Sequence, residues 1–326
     1  MTLRLRSIIF AGCVAVFALP AARAADPYPS KTVKIVVPFA PGGPNDLIAR
    51  MLAVKLSEIE GQNFIVENKP GGGSNIGAEF VAQAPADGYT LLAITTSHAI
   101  NVTLVPKAQL RYNLLTDLTP VSMTATGPLV LVTRPDFPGN NLRDLLTEAK
   151  AKPGQLSFAS GGNGTSVHLA GEMLSVATGM KAIHAPYKGS APGLTDVMAG
   201  HATFMVDAIL SAGPFVTSGK LKALAVTSGK RSAVLPNVPT VAEQGYPGFE
   251  VVAFFGVMAP ANTPQPVIDR LSGDLQKVLA MPDIKDKLEA QGTTAEWMKP
   301  TDFRSYIEKE ISKWGAIVKS ANVKLD

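Results

Sequence analysis

The sequence predicts an α/β protein of two domains, each a mostly parallel sheet flanked by helices, with a ligand cleft between them. Three observations carry this prediction. Short apolar, β-branched runs alternate with stretches of helical periodicity, which is the pattern of a layered parallel sheet. After the last of these runs the chain carries only helix-like segments, and such a tail needs a sheet to pack on, the nearest free one belonging to the first domain. Two glycine-rich loops also stand at matching strand-to-helix joints, one in each half.

In chain order the strand-like runs are residues 33–37, 90–95, 129–133, 156–159, 181–185, 203–207, 221–227 and 251–258. They are apolar at consecutive positions, as strands buried on both faces are. Between them Leu47, Ile48, Met51, Leu52 and Leu56 recur at helical spacing, as do Leu142, Leu145, Leu146 and Ala149, and again Leu169, Ala170, Met173, Leu174 and Ala177. Glycine and proline mark the joints: Pro153-Gly154 stops one helix, Gly179 closes another, and Pro260, Pro264 and Pro266 separate the last strand from the helical segments 267–280, 284–290 and 303–318. The division is 25–123 with 252–326 as the first domain and 124–251 as the second, joined by crossings near 122–127 and 249–254.

Residues 1–24 read as a secretory signal. Arg4 and Arg6 form a basic start, residues 7–19 are apolar but too short to span a bilayer, and Ala22-Arg23-Ala24 is a small-x-small cleavage pattern. The mature chain then starts at Ala25 and loses Cys13, the only cysteine, so no disulfide or Cys-based metal site remains. A lipobox at residues 10–13 is disfavoured by Phe10 at its start. Removing the three leader arginines from 30 Lys+Arg leaves 27 against 26 Asp+Glu, and the net charge falls from +4 to +1. The lysines are scattered and do not alternate with aromatics, which excludes a nucleic-acid interface. No other apolar run approaches the roughly 20 residues that cross a membrane.

Both glycine loops are anion-binding architecture. In the first, Phe39-Ala40-Pro41-Gly42-Gly43-Pro44-Asn45-Asp46 follows the strand at 33–37 and opens a helix running to about Glu60, with Asn45 or Asp46 placed to cap it. In the second, Ser160, Gly161, Gly162, Asn163, Gly164 and Thr165 follow the strand at 156–159 and open a helix near Thr165 or Ser166. Unpaired amides and the positive end of the helix dipole hold a carboxylate without arginine, and glycine admits close approach of the main chain. One such loop alone is equally an ordinary turn; two, facing across a cleft, grip one small acid from both sides. Asp46 and Arg50 stand at i,i+4, where surface pairing is the plainer role.

Other motifs are weaker. Asn68 to Gly77 lacks the Lys-Ser or Lys-Thr of a phosphate loop and the dinucleotide glycine spacing, and reads as a tight turn from which Ser74 reaches the cleft. His98, His168, His184 and His201 are dispersed and lack metal-ligand spacing. His168, one turn beyond the second loop, either touches the ligand or orients the loop. Asp207 ends an apolar strand and points to the usual crevice or caps the next helix. There is no Gly-x-Ser-x-Gly elbow, and an enzyme acting on a carboxylate or phosphate ester has only Asp207 and His168 as candidate catalytic groups.

The sequence resembles the Bug-type periplasmic solute receptors of tripartite tricarboxylate transporters over nearly the whole mature chain. The residues that carry the resemblance are Pro38 to Gly43 with Asp46, Glu67 to Gly71, Asn75 to Glu79, Pro85 to Leu92, Ser160 to Ser166 with His168, Pro186 to Gly189, the stretch 235–243, and Phe255-Gly256 with Ala259-Pro260. The resemblance implies a type II-like periplasmic binding protein that closes around a small carboxylate without metal or cofactor, exported with its signal removed near Ala24. It implies a monomer that delivers its solute to membrane permease subunits or to a sensor, and it adds Thr96 and Ser97 to the cleft. Where the family often has Phe-Asp-Asn this chain has Val206-Asp207-Ala208, and where tryptophan is frequent it has Phe254, so solute selectivity is expected to differ at Asp207 and Phe254.

Overall fold

The computed structural model describes residues 28–320 and residue 323, so the expected signal segment and Cys13 lie outside the described residues. The first half of the chain runs β1 (Val33–Val37), α1 (Pro44–Glu60), β2 (Phe64–Asn68), α2 (Asn75–Ala82), β3 (Thr90–Thr95) and α3 (Thr96–Leu104). A long strand, β4 (Leu118–Thr133), leads into α4 (Leu142–Ala151), β5 (Ser157–Ser160), α5 (Ser166–Thr178), β6 (Ile183–Pro186), α6 (Ser190–Ala199), β7 (Phe204–Ala208), α7 (Ile209–Thr217) and β8 (Lys222–Val226). The chain then returns through β9 (Val252–Pro260) to α8 (Gln265–Ala280), α9 (Pro282–Glu289), β10 (Thr294–Met298) and α10 (Pro300–Ser320).

The strand order is β2-β1-β3-β9-β4-β7-β5-β6, with β8 and β10 also pairing to β4. Pairing is parallel within β2-β1-β3 and within β7-β5-β6, the two α/β halves. Between them lie the antiparallel strands β9 and β4. β4 serves both halves: residues 118–128 pair with β9, and from Leu129 onward the partners are β7 and β8. Parallel strands need a helical crossover, so each half carries its helices on the sheet faces and their N-termini at one edge.

Three strands lay outside the sequence expectation. β2 keeps only Phe64 buried and ends in Glu67-Asn68, an edge strand without the apolar run of a central one. The first part of β4 carries Pro120, a glycine and several threonines, a composition that reads as a connection. β10 corrects the expectation that only helices follow β9: its Thr294-Ala-Glu-Trp-Met298 is half exposed and pairs along β4.

The helical tail packs on the half that holds β1 to β3, with α8 against α1 and α10 against α3 and β4. Phe303, Ile307 and Trp314 of α10 are fully buried. Each such large apolar side chain contributes about 1.5–3 kcal/mol by leaving water. Where the chain passes between halves, Thr227 joins both passages: its hydroxyl lies 2.9 Å from the Leu129 N–H that donates to it and donates to the Val251 carbonyl at 2.6 Å.

Candidate solute-binding site

Between the halves lies a small cavity of about 40 Å³, walled by Phe39, Leu129, Val167, Ala253 and Phe255 on its apolar sides. A space of this size takes a few-atom polar group, not bulk water. Its polar lining comes from helix starts: Gly43 to Asn45 of α1, Thr95 and Ser97 of α3, Thr165 and Ser166 of α5, Ser190 of α6 and Ala208 before α7. Among the described residues, no lysine, arginine or histidine lines it. Each helix start carries roughly half a positive charge, so the site is electropositive without a cationic side chain.

The first loop leaves its amides open. Pro44 stands at the first helical position, where its fixed φ starts the helix early and its missing N–H loses nothing. The helix cap is therefore Gly43, which has no side chain to bond the first turn. Asn45 and Asp46, expected as caps, lie inside the helix instead. Asn45 donates to the Ala93 carbonyl at 2.8 Å and lines the cavity. The Asp46 carboxylate turns back into the loop, accepting from Gly42 N–H at 3.0 Å, Arg50 Nε at 2.9 Å and Asn68 Nδ2 at 2.8 Å. Burial pushes its carboxyl upward, but the bonds from Arg50, Gly42 and Asn68 prevail and hold it below the usual range. Gly42 and Asp46 thus shape the loop, and Ala40 ties it across the cleft by donating to the Lys188 carbonyl at 2.8 Å.

The second loop is braced by histidines. Gly164 N–H donates to His168 Nδ1 at 3.2 Å, Gly162 N–H donates to Ser160 Oγ at 3.0 Å, and Ser160 Oγ meets His184 Nε2 at 2.6 Å. The His168 and His184 rings stack with centroids 4.0 Å apart. Burial, with His184 beside it, pulls His168 down to about 3, so it is neutral and its Nδ1 accepts. Of the two roles open to His168, the geometry assigns loop orientation. Thr165 caps α5 by accepting from His168 N–H at 3.2 Å and donates its own proton to the Gly162 carbonyl at 2.7 Å. Gly161 and Thr165 line the cavity; Ser160, Gly162, Gly164 and His168 support it from behind.

Ser97 lines the cavity and bridges the halves, its hydroxyl accepting from Ser166 N–H at 3.2 Å. Thr96 faces away, its hydroxyl accepting from Phe254 N–H at 2.8 Å. Phe254 corrects an expectation. It is fully buried on the opposite sheet face, against Phe303 and Tyr306 at 6.0 and 5.4 Å. Successive strand residues face opposite sides, so Ala253 and Phe255 form the cavity wall. Asp207 is also displaced from the lining: its carboxylate is wholly buried behind Ser190 and accepts from Ser190 and Ser211, both at 2.6 Å. Neither Asp207 nor His168 lines the cavity, which leaves the enzyme alternative without a catalytic pair.

Ser74 and Asn163 belong to an outer trench of about 580 Å³, walled by the 71–76 turn, Arg111 and Lys188, which shares Phe39 and Gly161 with the cavity. The halves touch closely there. A Cβ on Gly73 would lie 1.9 Å from the Asn163 carbonyl oxygen, and one on Gly164 would lie 2.1 Å from Asn101 Oδ1. Sequence reasoning missed Thr95, Leu129, Ser166, Val167, Ser190, Ala208, Ala253 and Phe255 of the cavity lining. Tyr187-Lys188-Gly189-Ser190 repeats the strand, glycine and helix order of the two loops, which was the available signal.

Residues 48–323 match the family described as tripartite tricarboxylate transporter family receptor. The chain is 37% identical to protein BugT of Bordetella pertussis strain Tohama I over 96% of each chain. Among solved structures it is similar to periplasmic binding protein BugD, with 36% identity, a TM-score of 0.88 and coverage of 91% and 99%. It is also similar to R. palustris Rpa4515 with adipate, at 34% identity, TM-score 0.88 and coverage of 91% and 99%. A third is MatC from Rhodopseudomonas palustris with bound malate, at 32% identity, TM-score 0.85 and coverage of 89% and 100%. The chain belongs to the tripartite tricarboxylate transporter receptor family, whose members are solute-binding receptors, not enzymes.

Proposed function

We propose that this protein binds a small carboxylated solute in the periplasm by closing its two domains over it, and that it delivers the solute to membrane permease subunits of a tripartite transporter. The observation that carries this reading is the convergence of helix N-termini on a cavity without cationic side chains. Uncapped amides at α1, with the Ser97 hydroxyl, supply donors for one carboxylate, and hydrogen bonds to a charged group are worth about 1.5–3 kcal/mol each. Three or four approach the roughly 8 kcal/mol of a micromolar complex, less the loss of freedom on binding. Adipate and malate in the relatives' structures support an acid as the solute class. The change of β4 partners at Leu129 and the Thr227 junction support a hinge between residues 28–128 with 252–320 and residues 129–251. Secretion with the leader removed near Ala24, and a monomer in solution, complete the proposal.

Thermal melting across short dicarboxylates, acidic amino acids and aromatic carboxylates tests it. At least one acid is expected to raise the melting temperature by several degrees and to bind with a micromolar Kd. A folded, solute-free protein that responds to none of them would remove the reading.

A further inference from the structure

We propose that this receptor takes up a proton together with its solute, and that the proton is held by Asp207. This rests on the carboxylate reading above and adds a second, smaller ligand to it.

Asp207 is a wholly buried carboxylate whose oxygens accept from the Ser190 and Ser211 hydroxyls, both at 2.6 Å. Neutral hydroxyls stabilise an anion but do not cancel its charge. The elements packed on β7 bring no cation to it either. β4, β5 and α7 carry no charged or titratable residue. On α6 the one such residue is Asp196, which accepts from the Tyr187 hydroxyl. α5 carries His168 and Glu172, but it packs with Phe204 and Val206 on the opposite sheet face, whereas Asp207 shares its face with Met205. Burial pushes the Asp207 carboxyl up to about 6, against the bonds from Ser190, Ser211 and the Ala208 amide. At neutral pH it is an anion that a modest push returns to the neutral acid.

The solute supplies that push. Ser190 and Ala208 both line the cavity. α6 starts at Ser190 without a side-chain cap, so its amide is an open donor beside the hydroxyl. Across the cleft stands Gly43 at the α1 start, where a Cβ would lie 3.7 Å from the Ser190 nitrogen. A carboxylate held between these helix starts, in a space of about 40 Å³, is separated from Asp207 by little more than the Ser190 hydroxyl. Two like charges so placed disfavour joint ionisation, and the weaker acid takes the proton. The weaker acid is Asp207, since an ordinary solute carboxyl titrates near roughly pH 4.

Linkage fixes the sign of the effect: a proton held more tightly in the complex makes the solute bind more tightly as pH falls. Between pH 8.5 and pH 6.5 affinity rises, by up to about tenfold for each unit by which the solute raises the Asp207 carboxyl. His98 and His168, which burial holds at about 4 and about 3, stay neutral throughout this range.

Titration calorimetry at pH 7 in MOPS, imidazole and Tris, buffers of different ionisation enthalpy, counts the protons taken up. Malate, adipate, glutamate and benzoate are screened and the tightest binder is carried forward. At least about half a proton per solute is expected, with Kd rising at least about fivefold from pH 6.5 to pH 8.5. Asp207→Asn, checked for folding by circular dichroism, should take up none and show a flat Kd profile over that range. Ser190→Ala removes a hydrogen bond to the ionised carboxylate, so its Kd should begin to rise at a higher pH than in the parent. Buffer-independent heats in the parent, or uptake that persists in Asp207→Asn, would overturn this assignment and leave the carboxylate reading standing. Binding of none of the acids would overturn both.

Discussion

At the scale of single residues, Asp207 is a carboxylate sealed between two serine hydroxyls and Phe254 an aromatic turned onto the sheet face away from the cavity. Asp207 and Phe254 were both recognisable as unusual side chains near the right strand ends, yet neither touches the cavity. Phe254 is set by strand parity: one position along, Phe255 faces the cleft, and only the register of β9 between β3 and β4 decides which of the two does. Asp207 is set by Ser190 and Ser211, partners 17 and 4 residues distant that no local pattern announces. Its pH behaviour follows from burial. A carboxyl raised from 3.8 to about 6 binds its proton more tightly in the folded protein than in the unfolded chain. Its contribution to stability is therefore complete below about pH 3.8 and lost as pH rises through about 6. Asp207→Asn removes this dependence, so the stability of the variant relative to the parent should rise by about 1 kcal/mol between pH 5 and pH 7.5. Denaturant melts at both pH values measure this, and parallel profiles would show that Asp207 is not buried as an anion.

At the scale of elements, the glycine loops were legible because their grammar is local. A strand, a glycine turn and a helix start are visible in a dozen residues, and α1 and α5 begin within three residues of expectation. What the pattern did not reveal is the division of labour within each loop, where Gly42, Gly162 and Gly164 spend their amides on Asp46, Ser160 and His168. A side chain at Gly162 would disturb the loop itself, since its Cβ would lie 2.9 Å from the Tyr187 carbonyl at a φ of +119°. Gly73 offers a cleaner test of closure. In Gly73→Ala the new methyl collides with the Asn163 carbonyl only when the halves are together. Gly179→Ala is the control, since its φ of +70° matches the +61° of Gly73 but open space surrounds it. Both variants should lose about 1 kcal/mol of stability from left-handed backbone. Gly73→Ala alone should weaken solute binding by more than tenfold, and equal affinities in the two variants would show that this contact does not limit closure.

At the scale of the whole molecule, the α/β alternation and the presence of two parallel halves could be read from composition and period. The strand order could not. It depends on β9 returning antiparallel between β3 and β4, and on β4 exchanging partners midway, pairings fixed by residues more than a hundred positions apart. The same arrangement brings the starts of α1, α3, α5, α6 and α7 to one small space, which is where function emerges from topology. The most direct test is a crystal structure of the protein with the solute that copurifies with it. The account predicts carboxylate oxygens about 3 Å from the Asn45 amide of α1 and the Ser97 hydroxyl, inside the cavity bounded by Phe39 and Phe255. An acid bound instead in the outer trench, paired with Arg111 and Lys188, would contradict it.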